Sequence, residues 1–169
     1  MNAAIIAVLL QTALHMTTPP TPVPSASVEQ PEHPESRVYL PDEDANSQVD
    51  DALLRAKASG KTVLVIMGAN WCHDSIGLAG WLETPRFVAM MRDRYEIVYV
   101  DVGTPQIGKG RNLDIAKRFG VKKVKGTPLV LVLSPDGKLL NSKKDAASWR
   151  NAASRSEDQI YLYFDTFTS

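Results

Sequence analysis

Three short, predominantly apolar runs constrain this chain more than anything else in it. Residues 62–67 read TVLVIM, residues 97–102 read IVYVDV and residues 129–133 read LVLVL. Each has strand length, and none shows the polar–apolar alternation of a strand with one wet face, so all three read as strands covered on both sides. Helical patterns lie between and around them. Residues 45–59 place Val49, Ala52, Leu53 and Ala56 on one stripe and stop at Gly60. Residues 75–83 read as a helix, and Thr84-Pro85 suits the N-cap and first position of another that runs to about Arg94. Asn112 can cap a short helix carrying Leu113, Ala116 and Phe119, closed by Gly120. Beyond the third run, Pro135-Asp136-Gly137 predicts a turn into a short edge strand over residues 138–141. Ser156-x-x-Gln159 predicts a capping box for a last helix with Ile160, Phe164 and Phe167 on one stripe, and Trp149 is expected to anchor this C-terminal segment. Alternating strands and helices imply parallel pairing with right-handed crossovers, and the last two strands imply a hairpin. The expected fold class is α/β, with a mixed central sheet and helices on both faces.

Cysteine usage says how such a fold must be held. Cys72 is the single cysteine of the chain, so no intramolecular disulfide can form and no multi-cysteine zinc site exists. Charge is balanced, 19 Lys and Arg against 19 Asp and Glu, which gives no case for a nucleic-acid partner. The nearest basic cluster, Lys122-Lys123 with Lys125, reads as a solvated turn.

The N-terminal part is not domain-like. Residues 3–14 (AAIIAVLLQTAL) form an apolar run of signal-peptide length, too short for the roughly 20 residues that cross a bilayer. No Lys or Arg precedes it, and Ser25, Ala26 and Ser27 offer small residues for cleavage. The reading is a signal peptide over residues 1–26 of an exported, periplasmic protein with no other membrane association. Residues 17–41 hold seven of the 11 prolines and few large apolar residues. Such a stretch buries too little surface to offset its ordering entropy, so residues 27–41 are expected to be a Pro-rich, disordered linker before a domain over 42–169.

The chemistry concentrates where the first apolar run gives way to a helix: Asn70-Trp71-Cys72-His73-Asp74-Ser75. A thiol at a helix N-terminus faces unpaired backbone N–H groups and the positive end of the macrodipole, which favour the thiolate, the nucleophile of disulfide exchange. A protonated His73 would add to that effect and Asp74 would oppose it. Cys72, His73 and Asp74 are metal-ligand types, but consecutive residues do not converge easily on one ion, so no metal is expected, and no cofactor is implied. Ser75 reads as a local hydrogen-bonding cap. Trp81 and Met90-Met91 read as packing residues.

With these residues in view, the stretch 45–167 resembles the thioredoxin superfamily. The resemblance rests on Trp71-Cys72-x-x-Ser75 after a strand and on Gly126-Thr127-Pro128 before another. It implies a thioredoxin-like three-layer fold, with Cys72 catalytic and Trp71, His73, Asp74 and Ser75 shaping its site. It also implies a cis proline at Pro128 lying against the cysteine, and a substrate strand bound along Gly126, Thr127 and Pro128. Two positions depart from the family pattern. Ser75 stands where the second, resolving cysteine is expected, and Ile66 where a buried acid is common. A dithiol reductase needs both, and the two losses agree. The expected activity is therefore exchange with protein or small-thiol disulfides through one cysteine, reset by an external reductant. The alternative is a non-catalytic module that binds extended polypeptide at the proline edge.

Overall fold

The computed structural model describes residues 33–167. Helix α1 (Ala45–Ser59) opens with Asp44 accepting from the Ser47 N–H and ends at Gly60, whose φ of 78° suits only glycine comfortably. Strand β1 (Thr62–Gly68) follows, buried at every residue. Helices α2 (His73–Leu82) and α3 (Pro85–Arg94) lead into β2 (Tyr95–Asp101). A two-residue ribbon, β3 (Gly103–Thr104) with β4 (Lys109–Gly110), precedes α4 (Leu113–Arg118). Strand β5 (Leu129–Leu133), α5 (Lys143–Ala146), a 3-10 stretch (Ala147–Ser154) and α6 (Glu157–Asp165) complete the described chain.

The sheet runs β2-β1-β5, with β1 parallel to β2 and antiparallel to β5. Strand periodicity divides its side chains between two cores. Val63, Val65, Met67, Leu129, Leu131 and Leu133 pack with α1 and α4 on one face. Leu64, Ile66, Val130 and Val132 pack with Leu78, Phe87, Trp149, Ile160 and Phe164 on the other. The result is the expected α/β three-layer arrangement. Trp149 stacks on Phe164 with centroids 5.2 Å apart, so the 3-10 stretch does anchor α6, which carries the full Ser156–Gln159 capping box. No helix among the described residues is long and apolar enough to cross a membrane.

Two expectations need correction, and one element was not anticipated. The edge strand over 138–141 reduces to a single bridge, Leu133 to Leu139, because Asn141 turns inward and its side chain takes over the bonding to Val130 and Val132. Residues 33–40 form no regular secondary structure, as a linker would, yet they pack on the domain, and Tyr39 is 1% exposed within the second core. An aromatic ring with that much area to bury outweighs the ordering cost of the few residues around it. The β3–β4 ribbon is the unanticipated element: its four residues carry no strand-like pattern. The expected signal peptide lies outside the described residues, as does the linker up to residue 32.

Candidate active site

Cys72 caps α2. Its backbone is extended (φ −95°, ψ 114°), and its carbonyl accepts from the Ser75 and Ile76 N–H groups, both at 3.0 Å. The thiol is partly exposed and donates to the Thr127 carbonyl at 3.4 Å. The Thr127–Pro128 peptide is cis. Cys72 and Thr127 thus meet across 55 residues, because β1 and β5 are antiparallel neighbours that bring the end of one beside the start of the other. Lys122, Lys123 and Lys125 are exposed on the approach to Thr127, and Gly126 lies against Arg150.

Residues 33–39 strap the other side of the turn. Asn70 grips Tyr39 twice: its Oδ1 accepts from the Tyr39 N–H at 3.2 Å, and its Nδ2 donates to the Tyr39 carbonyl at 2.9 Å. Arg37 donates to the Asn70 carbonyl at 2.6 Å, the Ser36 N–H to Ile76 at 2.9 Å and the Tyr39 hydroxyl to the Ser75 carbonyl at 3.2 Å. Two glycines make room for the strap. A Cβ on Gly80 would stand 2.2 Å from the Pro34 carbonyl oxygen, and one on Gly68 would stand 2.6 Å from the Tyr39 ring. Burial pushes the Tyr39 phenol well above the usual tyrosine value, with Tyr99 and Cys72 acting in the same direction, so it remains a neutral donor.

The remaining expected site residues are distributed around this frame. Trp71 is half exposed, and its indole N–H donates to the Gly103 carbonyl of the ribbon at 2.9 Å. The ribbon in turn hangs on Asp101, which accepts from the Gly103 N–H and pairs with Arg111 at 3.2 Å. His73 points to solvent and meets Glu35 at 3.0 Å. Asp74 turns away from the thiol and accepts from the Ala153 N–H at 2.8 Å, which ties α2 to the 3-10 stretch. Ser75 is not a cap. It is fully buried within α2, and its Oγ has no hydrogen-bond partner among the described residues. Ile66 is a packing residue of the second core beside Tyr39.

The roles of Asn70, Tyr39, Arg37 and Glu35 were not read from the sequence. The run from Arg37 to Leu40 (RVYL) was the available signal: it is the one place where the Pro-rich stretch carries neighbouring Val, Tyr and Leu.

Comparison with known proteins agrees with this geometry. Residues 44–135 match the family described as Thioredoxin-like. Among solved structures, the crystal structure of a disulphide isomerase from Xylella fastidiosa Temecula1 is similar, with a TM-score of 0.71 and 32% identity. The match covers 79% of this chain and 98% of that one. No curated protein matches the chain.

Proposed function

The chain belongs to the thioredoxin-like family, and from that membership we propose that it exchanges thiols and disulfides through Cys72 alone. The Cys72 thiolate attacks one sulfur of a partner disulfide, which forms a mixed disulfide and releases the other sulfur as a thiolate. An external thiol then attacks the partner sulfur of that bond, leaves with the partner as a new disulfide and returns the Cys72 thiolate. The observation that carries the reading is the partly exposed Sγ at the start of α2, 3.4 Å from the Thr127 carbonyl. The buried hydroxyl of Ser75 occupies the place of a second thiol. Trp71 is proposed to fix the turn through the ribbon, and Gly126, Thr127 and Pro128 to offer the edge along which a substrate strand lies.

The likeness to a disulphide isomerase supports protein disulfides as substrates. The apolar run at residues 3–14 supports export, with residues 1–26 removed, into an oxidising compartment such as the periplasm, where such disulfides persist.

A peptide disulfide tests the reading. The wild-type protein should give a Cys72 adduct by mass spectrometry, and Cys72→Ser none. Reductant-driven insulin precipitation should be slow for the wild type and faster for Ser75→Cys, with the gain held back because Ile66 supplies no proton acceptor. Absence of the adduct would leave the non-catalytic, polypeptide-binding module as the better reading.

A further inference from the structure

The basic turn that the sequence assigned to solvent lies beside Cys72, and we infer that it selects an anionic disulfide partner. The inference rests on exchange at Cys72 as proposed above. Lys122, Lys123 and Lys125 are exposed in the five residues before Thr127, whose carbonyl receives the thiol. Arg150 is also exposed and joins them, its Cβ 3.4 Å from where a Gly126 Cβ would stand. Lys109 is exposed on the ribbon that holds Trp71. Among the described residues, none of these five cations has a hydrogen bond or ion pair through its side chain. On the α2 side, Glu35 meets His73 and Asp74 accepts from the Ala153 N–H, and at the end of β2 Asp101 pairs with Arg111, so these carboxylates hold partners of their own other than the lysines. The Thr127 side of Cys72 thus carries a rim of cations with no side-chain counter-ion among the described residues, in a chain whose total charge is zero.

Distance decides which cations act most. Chain geometry holds the Lys125 Cα within about 7 Å of the Thr127 Cα and the Lys122 Cα within about 18 Å. The Debye length is about 8–10 Å at physiological ionic strength, so Lys125 is near enough to act on a bound partner as well as on its approach. The rim borders a sulfur that reacts with disulfides, so the anion it selects belongs to a molecule carrying one. That excludes nucleic acid as the selected partner and leaves carboxylates flanking a cysteine, in an acidic polypeptide or an anionic small disulfide. The Cys72 thiolate attacks the partner sulfur as before, and the rim changes the rate of encounter and the orientation.

Two peptides test this, identical except that Glu or Lys flanks their single cysteine, each activated as a 2-thiopyridyl disulfide. Attack by Cys72 on the peptide sulfur releases 2-thiopyridone, which is followed by absorbance. At low ionic strength the Glu-flanked peptide should react about tenfold faster, and the difference should fade near 1 M salt. The triple variant Lys122→Glu, Lys123→Glu, Lys125→Glu should invert the preference with its melting temperature unchanged. Lys57→Glu alters an exposed residue of α1 that lines a groove with Pro135, beyond the far end of β5, and should keep the preference. Oxidised glutathione against cystamine then separates the sources: a rim-dependent preference there means that a small anionic disulfide suffices, and its absence there confines the selection to polypeptide. Equal rates for the two peptides, or a preference that survives the triple variant, would overturn the inference and leave exchange at Cys72 standing. Failure of both peptides to react would overturn both.

Discussion

On the α2 side of Cys72, Asn70, Ser75 and Ile76 each hold a bond to residues 36–39, and His73 meets Glu35. On the Thr127 side, Lys122, Lys123 and Lys125 stand exposed, with no side-chain partner among the described residues. The first bank is crowded to the point that Gly68 and Gly80 have no space for a Cβ, and it fixes the turn that presents the sulfur. The second leaves its polar groups free, so they remain available to whatever approaches. Internal bonding is thus concentrated on one side of the thiol, and the charge to which recognition is assigned in the proposal above lies on the other.

The largest expected effect is on the crowded bank. Tyr39→Ala empties an aromatic site in the core and removes the hydroxyl bond to Ser75, a change worth about 3–5 kcal/mol. Denaturant unfolding measures it, and a loss under 1 kcal/mol would show that the strap merely lies on the surface. Gly80→Ala sets two effects against each other. Alanine gains about 1 kcal/mol of helix propensity, but its Cβ meets the Pro34 backbone, and such overpacking costs about 1–3 kcal/mol. The expected balance is a net loss, with faster hydrogen exchange at the Ser36 N–H, which bonds to Ile76.

Alkaline titration should show a smaller difference. The folded Tyr39 phenol ionises well above the unfolded value of about 10, so the folded state keeps its proton after the unfolded state has lost it. Its stabilising contribution is complete below about pH 10 and falls as pH rises beyond. Unfolding free energy should decline through that range, and Tyr39→Phe should flatten the decline in part, since Tyr95, Tyr99 and Tyr163 are shifted upward by burial as well. The smallest effect belongs to the open bank. Lys123→Ala should change stability by less than about 0.5 kcal/mol, as exposed positions without partners do. A larger loss would mean that the rim holds structure, and the contrast between the banks would fail.

Helix α1, the three sheet strands and α6 were legible from the sequence because each rests on local rules. The stripe ending at Gly60, the apolar runs and the Ser156–Gln159 box carry their signal within a few residues. The same holds for the site's centre, since a strand followed by Trp71-Cys72 and a helix places the thiol at an N-terminus whatever surrounds it. Ser75 shows where that reach ends. Its letter in the sequence fits a cap, but Cys72 takes the capping position and α2 turns Ser75 inward against Tyr39.

The sequence by itself determined the element order, the strands of the sheet and the single thiol, since these follow from periodicity, turn chemistry and the count of one cysteine. Only the tertiary structure decided what faces that sulfur. The strap from residue 33, the withdrawal of Asp74 to Ala153 and the nearness of Lys125 depend on contacts between residues far apart in the chain. Such pairings leave no periodic trace in the sequence, because they are set by how the sheet brings the ends of β1 and β5 side by side.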